Sequence, residues 1–167
     1  MMIFRLAHRR DIDTYTALAR SAQGWLQAQG LGQYVPAAHP EYLQSIHARV
    51  AQGTLYAVDE GSAPVAFFSL DNGPNPWWPV DGRPAVYLAG MVAARRGQGT
   101  GSRIIAWGMQ QAAQRGHRRL RLDCHAGNNR LCAYYESQGF VLRGRIEQHP
   151  GYMGCMYERV LGSSVFE

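Results

Sequence analysis

Along the 167-residue chain the spacing of apolar side chains changes period several times, and each change marks an element. Met2 to Ala7 reads as a short opening strand. Ile12, Tyr15, Leu18, Ala19, Ala22 and Leu26 then recur at helical spacing, with Asp11 placed to cap the start and Gly30 and Gly32 to end the run. After a turn-rich stretch from Leu31 to Pro40, Tyr42, Leu43, Ile46 and Val50 predict a second helix over Glu41 to Ala51, stopped by Gly53. Two apolar runs, Leu55–Val58 and Val65–Leu70, are separated by Asp59, Glu60 and Gly61, the pattern of an antiparallel hairpin. Asp71 to Pro84 holds four prolines, two glycines and the pair Trp77-Trp78, which excludes a regular element and predicts a long loop. Ala85 to Val92 is nearly all apolar, as in a strand buried on both faces. A helix over Thr100–Gln114 and an alternating strand over Leu120–Cys124 follow, which makes a βαβ crossover with a parallel strand pair. A short helix over Asn129–Ser137, a strand over Phe140–Ile146 and a closing strand over Tyr152–Val160 complete the set. The expectation is a single α/β domain over 1–167, with a mixed central sheet of about seven strands, flanking helices, and no internal repeat or linker.

Composition narrows the chemistry. A chain of this length supports one core, and 46% hydrophobic against 17% charged residues needs neither disulfide nor metal to fold. The net charge is +5, yet every cation is Arg and no Lys occurs. That excludes a Schiff-base lysine, a phosphate-loop lysine and a Ser-x-x-Lys acylase site. Cys124, Cys132 and Cys155 form no C-x-x-C pair and are expected to be reduced. Arg5, His8, Arg9 and Arg10 interrupt the amino-terminal apolar stretch, and no segment reaches the roughly 20 apolar residues of a membrane span. A cytoplasmic protein without membrane association is the expectation.

Between the apolar strand and its helix lies Arg95-Arg96-Gly97-Gln98-Gly99-Thr100-Gly101, alternate glycines at a helix start with two guanidinium groups before them. Glycines let the backbone turn sharply, so N–H groups of the first helical turn converge on an oxyanion, and pyrophosphate fits such a cradle best. A nucleoside-triphosphate loop fails for want of its lysine. A dinucleotide fold is the rival, because Asp123 closes the next strand, but the third glycine comes one residue early and the preceding half of the chain is not βαβ.

Arg96-x-x-Gly99-x-Gly101 after Met91-Val92 resembles the acetyl-coenzyme A signature (Q/R-x-x-G-x-G/A) of the GNAT superfamily of N-acyltransferases. Asn128, seven residues before Tyr135, with Glu136, Gly139 and Phe140, is similar to that family's N-x(6)-Y-E-x-x-G-F segment, and the element order agrees from end to end. The resemblance implies a GNAT-like fold with a βαβ core that binds acetyl-coenzyme A (acetyl-CoA). It implies that the backbone of Arg96 to Gly101, with Gln98, Thr100 and Ser102 in the same turn, holds the pyrophosphate. Pantetheine would pair with main-chain groups of Met91 and Val92, between the fourth and fifth strands, and Arg95 or Arg96 would meet the 3′-phosphate. The Val92 amide becomes the oxyanion donor and Tyr135 the acid for the leaving thiolate, with Tyr134 its competitor and the spacing from Gly139 favouring Tyr135. Asn128 either orients the coenzyme or caps its helix.

No carboxylate lies on the fourth strand, so the general base is not assigned by resemblance; His125, with Asp123 two residues earlier, is the candidate by intrinsic pKa. Cys124 alternates with Leu122 and reads as a buried, inert thiol. Tyr34, Trp77, Trp78 and Tyr152 are candidates for an aromatic wall around a small amine acceptor, with Asp81 or Glu41 pairing its charge. The Arg115, Arg118, Arg119 and Arg121 group reads as solvated surface rather than a nucleic-acid site. No metal ligand set is expected, and a homodimer is among the expected states. A non-catalytic acyl-CoA sensor of the same fold is the alternative function, and a Rossmann-type dinucleotide binder the more distant one.

Overall fold

The computed structural model describes residues 1–79 and 81–162. Its strands are β1 (Met2–Leu6), β2 (Leu55–Glu60), β3 (Ala63–Asp71), β4 (Val86–Ala93), β5 (Arg119–His125), β6 (Val141–His149) and β7 (Tyr152–Val160). The α-helices among the described residues are α1 (Ile12–Ala28), α2 (Leu43–Gln52), α3 (Thr100–Gln114) and α4 (Asn129–Ser137). The seven strands hydrogen-bond in the order β1-β2-β3-β4-β5-β7-β6. β4 and β5 are parallel, with Val86 opposite Leu120 and Tyr87 opposite Arg121, and α3 makes the crossover; β1-β2, β2-β3, β5-β7 and β6-β7 are antiparallel. The expected α/β fold with a mixed seven-stranded sheet is therefore the one adopted, and α3, α4 and β7 have the bounds that periodicity gave them.

The chain divides into two compact units, Met1–Asp71 with Leu88–Arg103, and Asn72–Tyr87 with Ile104–Glu167. The first is built around Tyr15 of α1, whose ring lies 5.2 Å from that of Phe67 on β3, among Ile12, Ala19, Ile46, Leu55, Ala57 and Val92. Burying each large apolar side chain there contributes about 1.5–3 kcal/mol. The Asp11 expectation needs correction. Its carboxylate does not cap α1 but turns back to accept the His8 N–H at 2.7 Å and the Arg5 guanidinium at 2.8 and 3.1 Å, because a neighbouring cation outcompetes a helix N–H.

β4 also departs from the expectation of a strand buried on both faces. Val86, Leu88 and Val92 are buried, whereas Tyr87, Ala89 and Met91 are half-buried and Gly90 is exposed. Gly90 has φ +61°, and a Cβ built there would stand 2.9 Å from the Tyr15 hydroxyl. Tyr15 instead donates that hydroxyl to the Gly90 carbonyl at 3.3 Å. Glycine is required at this point by both backbone angle and space.

In the second unit β5 pairs along its length with β7, which sets Arg121 directly opposite Glu158. Arg121 is 1% exposed, which corrects the reading of that arginine as solvated surface. It donates to Glu158 at 2.7 Å, to Asp81 at 2.6 Å and to the Tyr87 hydroxyl at 3.2 Å, and the Trp78 ring lies 4.5 Å from its guanidinium carbon. A buried cation this fully partnered ties the proline-rich loop down onto β5.

Candidate active site

In the first unit, β4 ends at Ala93, and the next residue donates its N–H to the Val65 carbonyl at 2.8 Å, holding the loop's entry to β3. The chain then turns through exposed residues from Ala94 to Gly99, with Gly97 at φ +72° and Gly99 at φ +74°. Two left-handed glycines reverse the strand within a few residues and deliver Thr100, which is buried, as the first residue of α3. Gly101 and Ser102 are half-buried beneath the turn. The first N–H groups of α3 have no intrahelical acceptor, and the helix dipole places partial positive charge at the same point. Arg95, Arg96 and Arg103 are exposed around it, and no carboxylate occurs from 94 to 103. Donor set, charge and backbone turn all fit the pyrophosphate expected there. The Arg96 guanidinium carbon lies 3.9 Å from the Trp25 ring centre of α1. Nothing local in the sequence links Trp25 to the glycine loop.

In the second unit, Asn128 caps α4 through its Oδ1, which accepts the Leu131 N–H at 3.1 Å. The helix so started presents Tyr135 inward and leaves Tyr134 half-buried. Tyr135 is 7% exposed and packs against Phe140 at 5.8 Å and Tyr157 at 6.2 Å. Burial, with smaller contributions from nearby Cys124 and Tyr134, holds its hydroxyl well above the usual phenol pKa. No hydrogen bond from that hydroxyl occurs among the described residues.

Cys124 is buried on β5 with its Sγ 3.6 Å from that of Cys132, and burial pushes its thiol up, so it is a poor nucleophile as expected. All three cysteines are free thiols, and no group of three or more metal-ligating side chains occurs among the described residues.

His125 and Asp123 share one face of β5. The His125 ring stacks on Tyr152 at 4.4 Å, and its Nδ1 is buried without a hydrogen-bond partner. Gly127 is what admits this ring, since a Cβ there would stand 2.6 Å from Nε2. Asp123 accepts the Gln148 side-chain amide at 2.8 Å. The ring row continues within this unit from Tyr152 to His149 at 6.2 Å and from His149 to Trp77 at 5.9 Å. Trp78 is buried over Arg121, and Tyr34 lies in the first unit, stacked on His39 at 4.2 Å and donating to Glu41 at 3.2 Å. Asp81 is neutralised by Arg121 and is not available to pair an acceptor's charge.

The model of the acetyltransferase (GNAT) family matches residues 17–140. The chain belongs to the GNAT acetyltransferase family. A Bacillus subtilis (strain 168) relative, the uncharacterized N-acetyltransferase YesJ, is 26% identical over 141 residues, covering 80% of this chain and 78% of the relative. A GNAT-family acetyltransferase from Listeria monocytogenes superposes with a TM-score of 0.78 at 20% identity, covering 96% of this chain and 95% of the other. The yncA structure from Salmonella typhimurium, solved with its cofactor acetyl-CoA, gives 0.67 at 16% identity, covering 100% and 98%. At these identities the structures share the fold with this GNAT chain.

Proposed function

We propose that this GNAT chain transfers the acetyl group of acetyl-CoA to a primary amine of a small molecule by direct attack, with Tyr135 protonating the leaving thiolate. The observation that carries this reading is the turn at the start of α3, where two left-handed glycines open the helix among three exposed arginines. The acetyl-CoA held by yncA supports the choice of co-substrate.

The backbone from Arg96 to Gly101, with Gln98 and the hydroxyls of Thr100 and Ser102, binds pyrophosphate. Arg95 contributes charge toward the 3′-phosphate, and Arg96, backed by Trp25, adds to it. Main-chain groups of Met91 and Val92 align pantetheine, and the Val92 N–H steadies the thioester oxygen as charge develops on it. Asn128 fixes the first turn of α4 and hence the placement of Tyr135. A hydroxyl held above the usual phenol range stays protonated at neutral pH, as an acid must. His125 and Asp123 are the two side chains on β5 able to accept the amine's proton. Trp77 and Tyr152 present faces to the acceptor, and Trp78 holds their loop.

Calorimetric titration with acetyl-CoA, followed by thiol release against a panel of small amines, tests the reading. Micromolar binding with amine-dependent thiol release is expected. Gly99→Val, which forces a side chain into a left-handed backbone position, should weaken coenzyme binding by about tenfold or more. Because β4 carries no carboxylate, a sensor without turnover is the second reading; tight binding with no thiol release from any amine would favour it.

A further inference from the structure

The acids of the second unit among the described residues can be accounted for one by one. Glu158 is buried and faces Arg121 at 2.7 Å, Arg143 at 3.3 Å and Arg119 at 3.7 Å. Asp81 is paired with Arg121. Glu136 accepts the Tyr157 hydroxyl at 2.9 Å and Glu147 the Gly151 N–H at 2.8 Å, both from exposed positions. Asp123 differs from all of these. It is partly buried, it is held by one neutral donor, the Gln148 amide, and no cation lies within salt-bridge distance among the described residues.

Withdrawing a carboxylate from water costs free energy that a guanidinium would offset, and the chain has seventeen of those. On its own face of β5 Asp123 lies between His125 and Arg121, whose guanidinium is committed to Glu158 and Asp81, while Gln148 reaches it from β6 and Met156 stands directly opposite on β7. Burial accordingly pushes the Asp123 carboxyl up, with the Gln148 amide working against the shift.

The ring row of His125, Tyr152, His149 and Trp77 starts from the next residue on the same face of β5. A single uncompensated carboxylate at the end of a row of flat rings is complementary to a cation with a flat apolar body. We infer that Asp123 receives the acceptor's ammonium group and takes its proton, and that the acceptor is a small monocationic amine with an aromatic or similarly flat body. This rests on the acetyl-transfer reading above and names the acceptor class for it. A polycation would need further inward carboxylates, and the other acids of this unit among the described residues are neutralised by arginine or lie at the exposed surface.

The step balances as follows. The ammonium nitrogen gives one proton to Asp123, and its freed lone pair forms the C–N bond to the thioester carbonyl carbon. The C–S bond breaks and sulfur takes a proton from Tyr135. The nitrogen's second proton, passing through solvent, restores the Tyr135 hydroxyl, and Asp123 releases its proton to water. Each turnover thus yields one amide, one thiol and one proton.

The test uses benzylamine as the flat monocationic probe and spermidine as the polycationic one, with the intact chain and acetyl-CoA. Asp123→Asn keeps an oxygen for Gln148 and removes only the charge. It should lower kcat/KM for benzylamine by about 10²–10⁴-fold while the acetyl-CoA Kd stays within about twofold. Gln148→Ala keeps the carboxyl but removes the donor that favours its charged form, so the acid limb of the kcat/KM profile should move to higher pH, which a merely structural Asp123 would not do. Independently of turnover, the carboxyl carbon signal of Asp123, assigned with the Asn variant, should titrate about one pH unit lower when benzylammonium is added to the coenzyme A complex. Asp123→Asn within about threefold of the parent, an Asp123 midpoint indifferent to benzylammonium, or spermidine preferred over benzylamine would each overturn the inference. Failure of the acetyl-transfer reading would show separately, as absence of acetyl-CoA binding or as binding with no thiol release from any amine.

Discussion

At the scale of single residues, the charged side chains of this protein divide by whether their charge is answered. Asp11 is answered twice, by Arg5 and by the His8 N–H, and these contacts hold its carboxyl below the usual carboxylate range. A carboxyl whose pKa is lower in the folded state contributes stability that is present above its unfolded value near 3.8 and lost as pH falls through the folded value. Asp11→Asn should therefore destabilise the protein at neutral pH by about 1.5–3 kcal/mol in urea unfolding, and the gap should close as pH falls below 3.8 and through the folded value, where the parent carboxyl protonates. Tyr135 is the opposite case, a buried hydroxyl whose ionisation is suppressed. Tyr135→Phe preserves the packing against Phe140 and Tyr157. It should lower kcat by about 10²-fold or more with little change in the Kd for acetyl-CoA, as read from steady-state kinetics beside calorimetry.

At the scale of elements, β4 shows how one residue sets a strand's course. Gly90→Ala should cost about 1–3 kcal/mol of unfolding free energy, since φ +61° is unfavourable for alanine and the new methyl meets the Tyr15 hydroxyl. Adding Tyr15→Phe removes the oxygen and should restore part of the loss in a double-mutant cycle. The order of elements was legible because helical and strand periods alternate cleanly here, and the bounds of α3, α4 and β7 needed nothing more. The bend at Gly90 was not, because a glycine inside an apolar run signals a bulge only weakly. The burial of Arg121 is hidden from the sequence for a related reason. Its neighbours Arg118 and Arg119 suggest surface, and its burial depends on Glu158, 37 residues away, and on Asp81, both beyond the reach of local pattern. The left-handed turn of the glycine loop is legible because its pattern is local, whereas the Asp123 environment exists only once β6 brings Gln148 to β5.

At the scale of the whole molecule, a net charge of +5 with no lysine gives the chain a fixed guanidinium field that does not titrate in any physiological range. Part of that charge, Arg95, Arg96 and Arg103, is exposed around the start of α3. Coenzyme binding should accordingly weaken as ionic strength rises, by about three- to tenfold between about 0.05 and 0.5 M salt, as measured by calorimetry, because exposed charges are screened as the Debye length shortens.

The most direct measurement is titration calorimetry of the intact protein with acetyl-CoA, coenzyme A and NAD side by side. Micromolar binding of both coenzyme A forms, with no heat from NAD, is the predicted result. Binding of NAD without coenzyme A would contradict the assignment of the α3 cradle, and with it every role derived for Tyr135 and Asp123.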